Sequence, residues 1–203
     1  MSENKGIRAD EDYEAVSLCK KGDVDVFEVL VRKYQKKMIN AAYRITGSYE
    51  DACEVVQDAF VSAYKAIKEF EGKSRFETWL YTIVINLSRN RLKQTRARQQ
   101  QEAFSMDDPV ETEEGSIKFE HASNELSALK RLEQREIQKK VQECIRSLDD
   151  EFREVLVLRD MQGFSYDEIS SMLKIADGTV KSRLFRARDA VKNCLKKMMG
   201  NLW

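Results

Sequence analysis

Proline is the residue this chain nearly lacks: Pro109 stands alone in 203 residues, with only eight glycines beside it. A fold built of short strands needs turn residues at close intervals, whereas long runs without a breaker let the backbone hydrogen-bond to itself. The residues filling those runs are largely Ala, Leu, Lys, Arg, Glu and Gln, the strong helix formers. The expected fold class is therefore all-α, and a hydrophobic fraction of 42% is enough for packed helical cores.

Apolar spacing places the helices. After a break at Gly22-Asp23, Phe27, Leu30, Val31, Tyr34 and Met38 recur as one buried helical stripe, ending near Gly47. Ser48, with Asp51 three residues on, opens a second helix in the manner of a capping box. Its inner stripe is Ala52, Val56, Ala59, Ala63 and Ile67, and its outer face carries Glu54, Gln57, Asp58 and Lys65. Phe70 to Arg75 breaks the pattern, and Ser74-x-x-Glu77 reads as another capping box for a long helix to about Arg98. In that helix Phe76, Leu80, Ile83, Val84 and Leu87 face inward. At about 100° per residue, Trp79, Thr82, Asn86, Asn90 and Lys93 gather on a different, polar face.

From about Gln99 to Asn124 no period holds; the segment contains the proline and is rich in acids, so it reads as a linker. Periodicity resumes with Leu126, Leu129, Leu132, Ile137, Val141 and Ile145, followed by a helix from about Asp149 to Met161. Ser165-Tyr166-Asp167-Glu168 is a capping box with Ile169 and Leu173 as core positions. A turn over Lys174 to Asp177 leads to Gly178 and a further helix, giving a helix-turn-helix pattern. Val180, Leu184, Ala187 and Val191 form that last helix's inner stripe, leaving Lys181, Ser182, Phe185 and Arg186 turned away. The expected division is residues 1–98, a linker at 99–125, and residues 126–203.

The formal net charge of zero conceals strong segregation. From Ser88 to Gln101 every charge is basic, from Glu102 to Glu120 acids dominate, and after Gly178 seven cations face only Asp189. Two basic helices joined by an acidic connector suit two DNA-contacting modules. Aromatics among the cations, Trp79 and Phe185, suit base edges and stacked bases. Other classes lose support. Met1 to Asp12 is polar, and no apolar run approaches a membrane span, so a cytosolic protein is expected. Cys19, Cys53, Cys144 and Cys194 lie far apart without a C-x-x-C pair, so buried thiols are expected rather than a disulfide framework or zinc. His121 lies alone in the linker, and no phosphate loop or nucleophile-base arrangement points to an enzyme or a cofactor.

Three runs carry a resemblance: Asp51-Ala-Cys-Glu-Val-Val-Gln-Asp-Ala-Phe60, Phe76-Glu-Thr-Trp-Leu-Tyr-Thr-Ile-Val-Ile-Asn86 and Gly178-Thr-Val-Lys-Ser-Arg-Leu-Phe-Arg-Ala-Arg188. In this order and spacing the chain resembles the extracytoplasmic-function sigma factors. The resemblance implies two small helical domains, sigma domain 2 and sigma domain 4. It implies binding to RNA polymerase core, through the clamp helices of the largest subunit and the flap, with Asp51, Val55, Gln57, Asp58 and Phe60 on the binding helix. Reading and melting of the promoter −10 element would fall to Phe70, Arg75, Phe76, Trp79, Asn86, Asn90 and Lys93. The −35 element would be read by Thr179, Lys181, Ser182, Phe185, Arg186 and Arg188. A partner anti-sigma factor, often membrane-bound, is implied by the resemblance alone. Ala176-Asp177 stands where many members carry a proline-containing turn, so promoter reading is expected without a defined promoter sequence. The competing scheme, a free operator-binding regulator with a sensing N-terminal half, leaves the Trp79 face without a role.

Overall fold

The computed structural model describes residues 11–103 and 128–200. All regular structure among them is helical: α1 Tyr13–Lys20, α2 Val24–Thr46, α3 Tyr49–Ala66, α4 Phe76–Ala103, α5 Ala128–Arg146, α6 Asp150–Leu156, α7 Tyr166–Leu173 and α8 Asp177–Met199. A single 3₁₀ turn, Ile67–Glu69, follows α3, and α6 runs on through a π-helical turn, Val157–Met161. The chain divides into two compact units, one of residues 1–42 and 50–107, the other of residues 43–49 and 108–203.

In the first unit most residues of the expected stripes form the core. Phe27, Leu30, Tyr34 and Met38 of α2 are buried, as are Ala52, Val56, Ala59 and Ala63 of α3 and Phe76, Leu80 and Val84 of α4. The alanines of α3 let its neighbours approach closely while the aromatic and branched side chains fill the space between them. Each large side chain so buried contributes roughly 1.5–3 kcal/mol. The core face of α4 is turned from the expected stripe: Tyr81, Ile85 and Ser88 are buried, whereas Ile83 and Leu87, expected inward, are only half-buried, as is Val31 of α2.

The second unit holds the helix-turn-helix. The Ser165 hydroxyl accepts from the Glu168 backbone N–H at 3.2 Å, and the Glu168 carboxylate accepts from the Ser165 N–H at 2.9 Å, completing the expected capping box. The connecting turn passes through Lys174 at φ 55°, a left-handed position. Ser170 pins it: its carbonyl accepts from the Ile175 N–H at 3.2 Å and its hydroxyl donates to the Ile175 carbonyl at 2.5 Å. Ile169, Leu173, Val180, Leu184 and Ala187 are buried behind the turn. Arg153 anchors the α5–α6 corner from within, donating to the carbonyls of Ile145 at 3.1 Å and of Arg146 and Leu148 at 2.6 Å, so that carbonyls at the end of α5 are bonded by a buried cation.

Several expectations need correction. Cys144 and Cys194 are joined in a disulfide across 50 residues, where buried thiols were expected; sequence spacing does not show which helix ends meet, and here α5 and α8 do. Cys19 and Cys53 are free. Ser74 does not cap α4: the helix starts at Phe76, one residue too late, and the Ser74 hydroxyl donates to the Arg75 carbonyl at 3.3 Å instead. The helix continues to Ala103, five residues into the expected linker, because Arg98 to Ala103 contains only good helix formers. Ile137, expected in the α5 stripe, is 46% exposed. Asp177 and Gly178 belong to α8 rather than to the turn before it. The short helix α1, with Val16 and Cys19 buried, has no counterpart in the periodicity reading, because eight residues give too few turns for a period. The acidic stretch and Leu126 lie outside the described residues.

Candidate nucleic-acid interface

Two surfaces carry the residues singled out above, one on each unit. The first is built on α4 and the loop before it. Phe70 and Phe76 are buried, Trp79 is half-buried, and the three rings cluster with centroids 4.9 to 6.1 Å apart. Trp79 is therefore the member of the cluster that offers a ring face outward, and Phe70 and Phe76 support it from beneath. Arg75 lies at the helix entrance, half-exposed, its guanidinium 4.0 Å from Glu77, which also receives Lys37 at 2.9 Å. From this aromatic end, Asn86, Asn90 and Lys93 run outward along α4, all exposed. Aromatic, amides and ammonium along one helix form a surface able to stack an unpaired base, hydrogen-bond its edge and hold a phosphate.

Sequence reasoning missed what positions this loop. Lys20, the last residue of α1, donates from its ammonium to the Phe70 carbonyl and lies 5.7 Å from the Phe70 ring centre. Nothing in the local pattern marks Lys20, because its role exists only once α1 and the loop are folded together. The basic run after Ser88 also divides. Arg91 turns inward, its Nε 2.6 Å from Asp51 and its Nη2 2.5 Å from Glu54, and the Asp51 bond raises the guanidinium above its ordinary value. Asp51, expected at a polymerase-binding surface, is thus occupied in tying α3 to α4.

On α3 the expected residues separate by burial. Val55 and Phe60 are in the core at 5% and 8% exposure, while Gln57 and Asp58 are exposed. Val61 and Tyr64 join them on the outside, at 47% and 39% exposure. Gln57, Val61 and Tyr64 follow helical spacing, so Val61 and Tyr64 recurring off the core stripe were the available signal for an exposed, partly apolar face on α3.

The second surface is the outer face of α8. Phe185 is 75% exposed, and Lys181, Ser182 and Arg186 are exposed around it, with Thr179 half-buried at the helix entrance. The cations here are not equivalent. Lys181 pairs with Asp177 at 2.7 Å, and that hydrogen bond raises the ammonium above its ordinary value. The Tyr166 ring lies 5.8 Å from it. Arg183 pairs with Glu151, and Arg188, expected at the DNA face, is held by both oxygens of Asp160 at 2.6 and 2.9 Å. Arg186 forms no ion pair among the described residues, so Phe185 and Arg186 are the pair presented outright. A helix of this exposure and charge fits a major groove, where a guanidinium meets a guanine edge and an aromatic meets a thymine methyl.

Further along α8, Val191 and Leu195 with Leu156 floor an apolar groove of about 410 Å³, rimmed by Asp160, Arg188, Lys192 and Lys196. No group of three His, Cys, Asp or Glu side chains among the described residues is placed to hold a metal ion. No helix among them is long and apolar enough to cross a membrane.

Residues 30–98 match the family Sigma-70 region 2 and residues 138–191 match Sigma-70, region 4. The RNA polymerase sigma-H factor of Pseudomonas aeruginosa is 35% identical over 194 residues, covering 95% of this chain and 98% of that protein. The ECF RNA polymerase sigma-E factor of Escherichia coli K12 is 36% identical over 190 residues, covering 93% and 96%. Among solved structures, CnrH in complex with the cytosolic domain of CnrY has TM-score 0.65 at 23% identity, covering 92% of this chain and 97% of that one. The sigma factor RpoE of Bartonella quintana, solved with the anti-sigma factor NepR, has TM-score 0.64 at 23% identity, covering 84% and 96%. These two share the fold. With both regions matched in order and relatives above 30% identity along nearly their whole length, the chain belongs to the extracytoplasmic-function branch of the sigma-70 family.

Proposed function

We propose that this chain is a promoter-reading subunit of RNA polymerase, acting in the cytoplasm in transcription initiation. The observation that carries the reading is the pairing, in one chain, of two exposed surfaces with different chemistry. The Trp79, Asn86, Asn90 and Lys93 face suits an unstacked base, whereas the Lys181, Ser182, Phe185 and Arg186 face suits an intact groove. Melting needs the first kind, because a base leaving the stack must gain stacking and hydrogen bonds elsewhere. Duplex recognition needs the second.

The division of labour follows. Residues 1–98 bind core polymerase and open the −10 element, residues 126–203 read the −35 element, and residues 99–125 connect them. The core-facing surface is Gln57, Asp58, Val61 and Tyr64 of α3, with Asp51, Val55 and Phe60 supporting that helix from within. Each DNA surface alone spans a short element and binds weakly; core polymerase engages both units and raises the effective concentration of the second contact once the first is made. A protein inhibitor of the kind crystallised with the Bartonella quintana protein would act by covering these surfaces, in a stress or envelope response.

Footprinting tests the proposal. With core polymerase present, protection should appear at two short upstream elements, and the free chain should give none at the same concentration. Tight sequence-specific protection by the free chain would favour an autonomous operator-binding regulator instead.

A further inference from the structure

The Cys144–Cys194 disulfide is the feature that promoter reading does not use. Cys144 is buried near the C-terminus of α5, and Cys194 is half-buried in the last turns of α8, with Cα atoms 5.7 Å apart. The Met198 thioether lies 3.5 Å from the Cys144 sulfur and 3.9 Å from that of Cys194. Among the described residues this end of the helix is packed less deeply than its start. The buried residues of α8 are Val180, Leu184 and Ala187, all in its first half, while Val191, Cys194, Leu195 and Met199 are only half-buried. The recognition half of α8 is thus locked into the core, and the groove-bearing half depends on the sulfur bridge.

We propose that Cys144 and Cys194 form a reversible thiol–disulfide modification site whose reactant is a low-molecular-weight disulfide and its thiol. The inference rests on the reading of the chain as a polymerase subunit only in this respect: such a protein works where thiols are kept reduced, and a disulfide there is redox-sensing more often than structural. Cys194 is the entry point, being half-exposed where Cys144 is buried. In oxidation the Cys194 thiolate attacks one sulfur of the small disulfide, a mixed disulfide forms, and one small thiolate leaves. The Cys144 thiol then loses its proton and attacks the Cys194 sulfur; the second small thiolate leaves as Cys144–Cys194 forms, and the two released thiolates take up the two protons. One small disulfide is reduced to two thiols as two protein thiols become one disulfide, and reduction is the reverse. Because Val191 and Leu195 floor the groove beside Leu156, the redox state sets how firmly that groove is held together.

The test equilibrates the full chain in glutathione buffers from fully reduced to fully oxidised, traps thiols with a maleimide, and reads each cysteine by peptide mass. Cys144 and Cys194 should convert together, with a midpoint inside the range, in the wild type and in a Cys19→Ser/Cys53→Ser background. In Cys144→Ser, Cys194 should stop at the glutathione mixed disulfide. Hydrogen exchange should show amides of residues 188–199 opening about tenfold more readily in the reduced protein, with residues 178–187 unchanged. A pair that stays bridged at the reducing end, thiols that persist at the oxidising end, or an exchange pattern indifferent to redox state would each overturn the proposal. Trapping and exchange need neither core polymerase nor DNA, so their failure leaves promoter reading untouched, and a failure of promoter reading does not imitate theirs.

Discussion

Asp177 is the residue of α8 whose replacement is expected to improve DNA binding. Its carboxylate sits in the first turn of α8, 2.7 Å from the Lys181 ammonium, with side chains 42% and 59% exposed. An exposed pair one helical turn apart adds only weakly to stability, because solvent screens it. A carboxylate in the first turn contributes a further 0.3–1 kcal/mol or so through the helix dipole. Both terms favour the free protein. At a DNA surface the sign changes, because Lys181 must leave Asp177 to reach a phosphate and the carboxylate itself faces the polyanion. Removing it in Asp177→Asn should tighten binding by about 0.5–1 kcal/mol, roughly two- to fivefold, while stability falls by a few tenths to about 1 kcal/mol. With Lys181 released, the dependence of log affinity on log salt should steepen by about 0.9. The assay is fluorescence anisotropy of a promoter duplex titrated with holoenzyme between about 50 and 200 mM salt. Repeating it in a Lys181→Ala background completes a double-mutant cycle. Tightening that is undiminished by the loss of Lys181 would refute the Lys181 part of the reasoning, and weaker binding by Asp177→Asn would refute the whole of it and point to Asp177 as a base-reading acceptor.

Three further outcomes follow from the packing. Phe76→Ala removes a fully buried ring that supports both Phe70 and Trp79, so the first unit should lose about 3–5 kcal/mol in urea unfolding, and a loss under 1 kcal/mol would contradict its placement. Ser165→Ala removes the hydroxyl half of the α7 capping box, leaving the backbone N–H to Glu168, and should cost the second unit about 1 kcal/mol; Ser165→Asp should restore most of it. Burial, with the Glu77 charge adding to it, pushes the Tyr81 phenol well above its ordinary value. The unfolded chain therefore ionises first, and this contribution to stability is complete below about pH 10 and lost as pH rises toward the folded value. Tyr81→Phe should flatten the alkaline fall in stability measured by denaturant midpoints, and an unchanged slope would assign that fall to other groups.

What the sequence revealed depended on how local the controlling physics is. The Ser165 box needs four consecutive residues and formed as expected, and the stripe of α3 and most of those of α2 and α8 are periodicities imposed by one core on one helix, with Val31 and Val191 only half-buried at their margins. The Ser74 box failed because the same four-residue pattern is satisfied by register, and the helix starts one residue late. Site residues followed the same rule. Phe185 and Arg186 are exposed where the helical angle put them. Arg91, equally basic on paper, is drawn inward by Asp51 and Glu54, 40 and 37 residues away in the chain. The disulfide, the Lys20 tether to Phe70 and the Arg188 pair with Asp160 are likewise tertiary events that no local pattern encodes.

Run-off transcription on sheared genomic DNA with purified core polymerase tests the central claim most directly. The account predicts defined start sites only when this protein is added, weakened by Asn86→Ala through loss of the melting face and by Arg186→Ala through loss of the groove contact. Core polymerase that neither binds the chain nor gains defined starts from it would contradict the account.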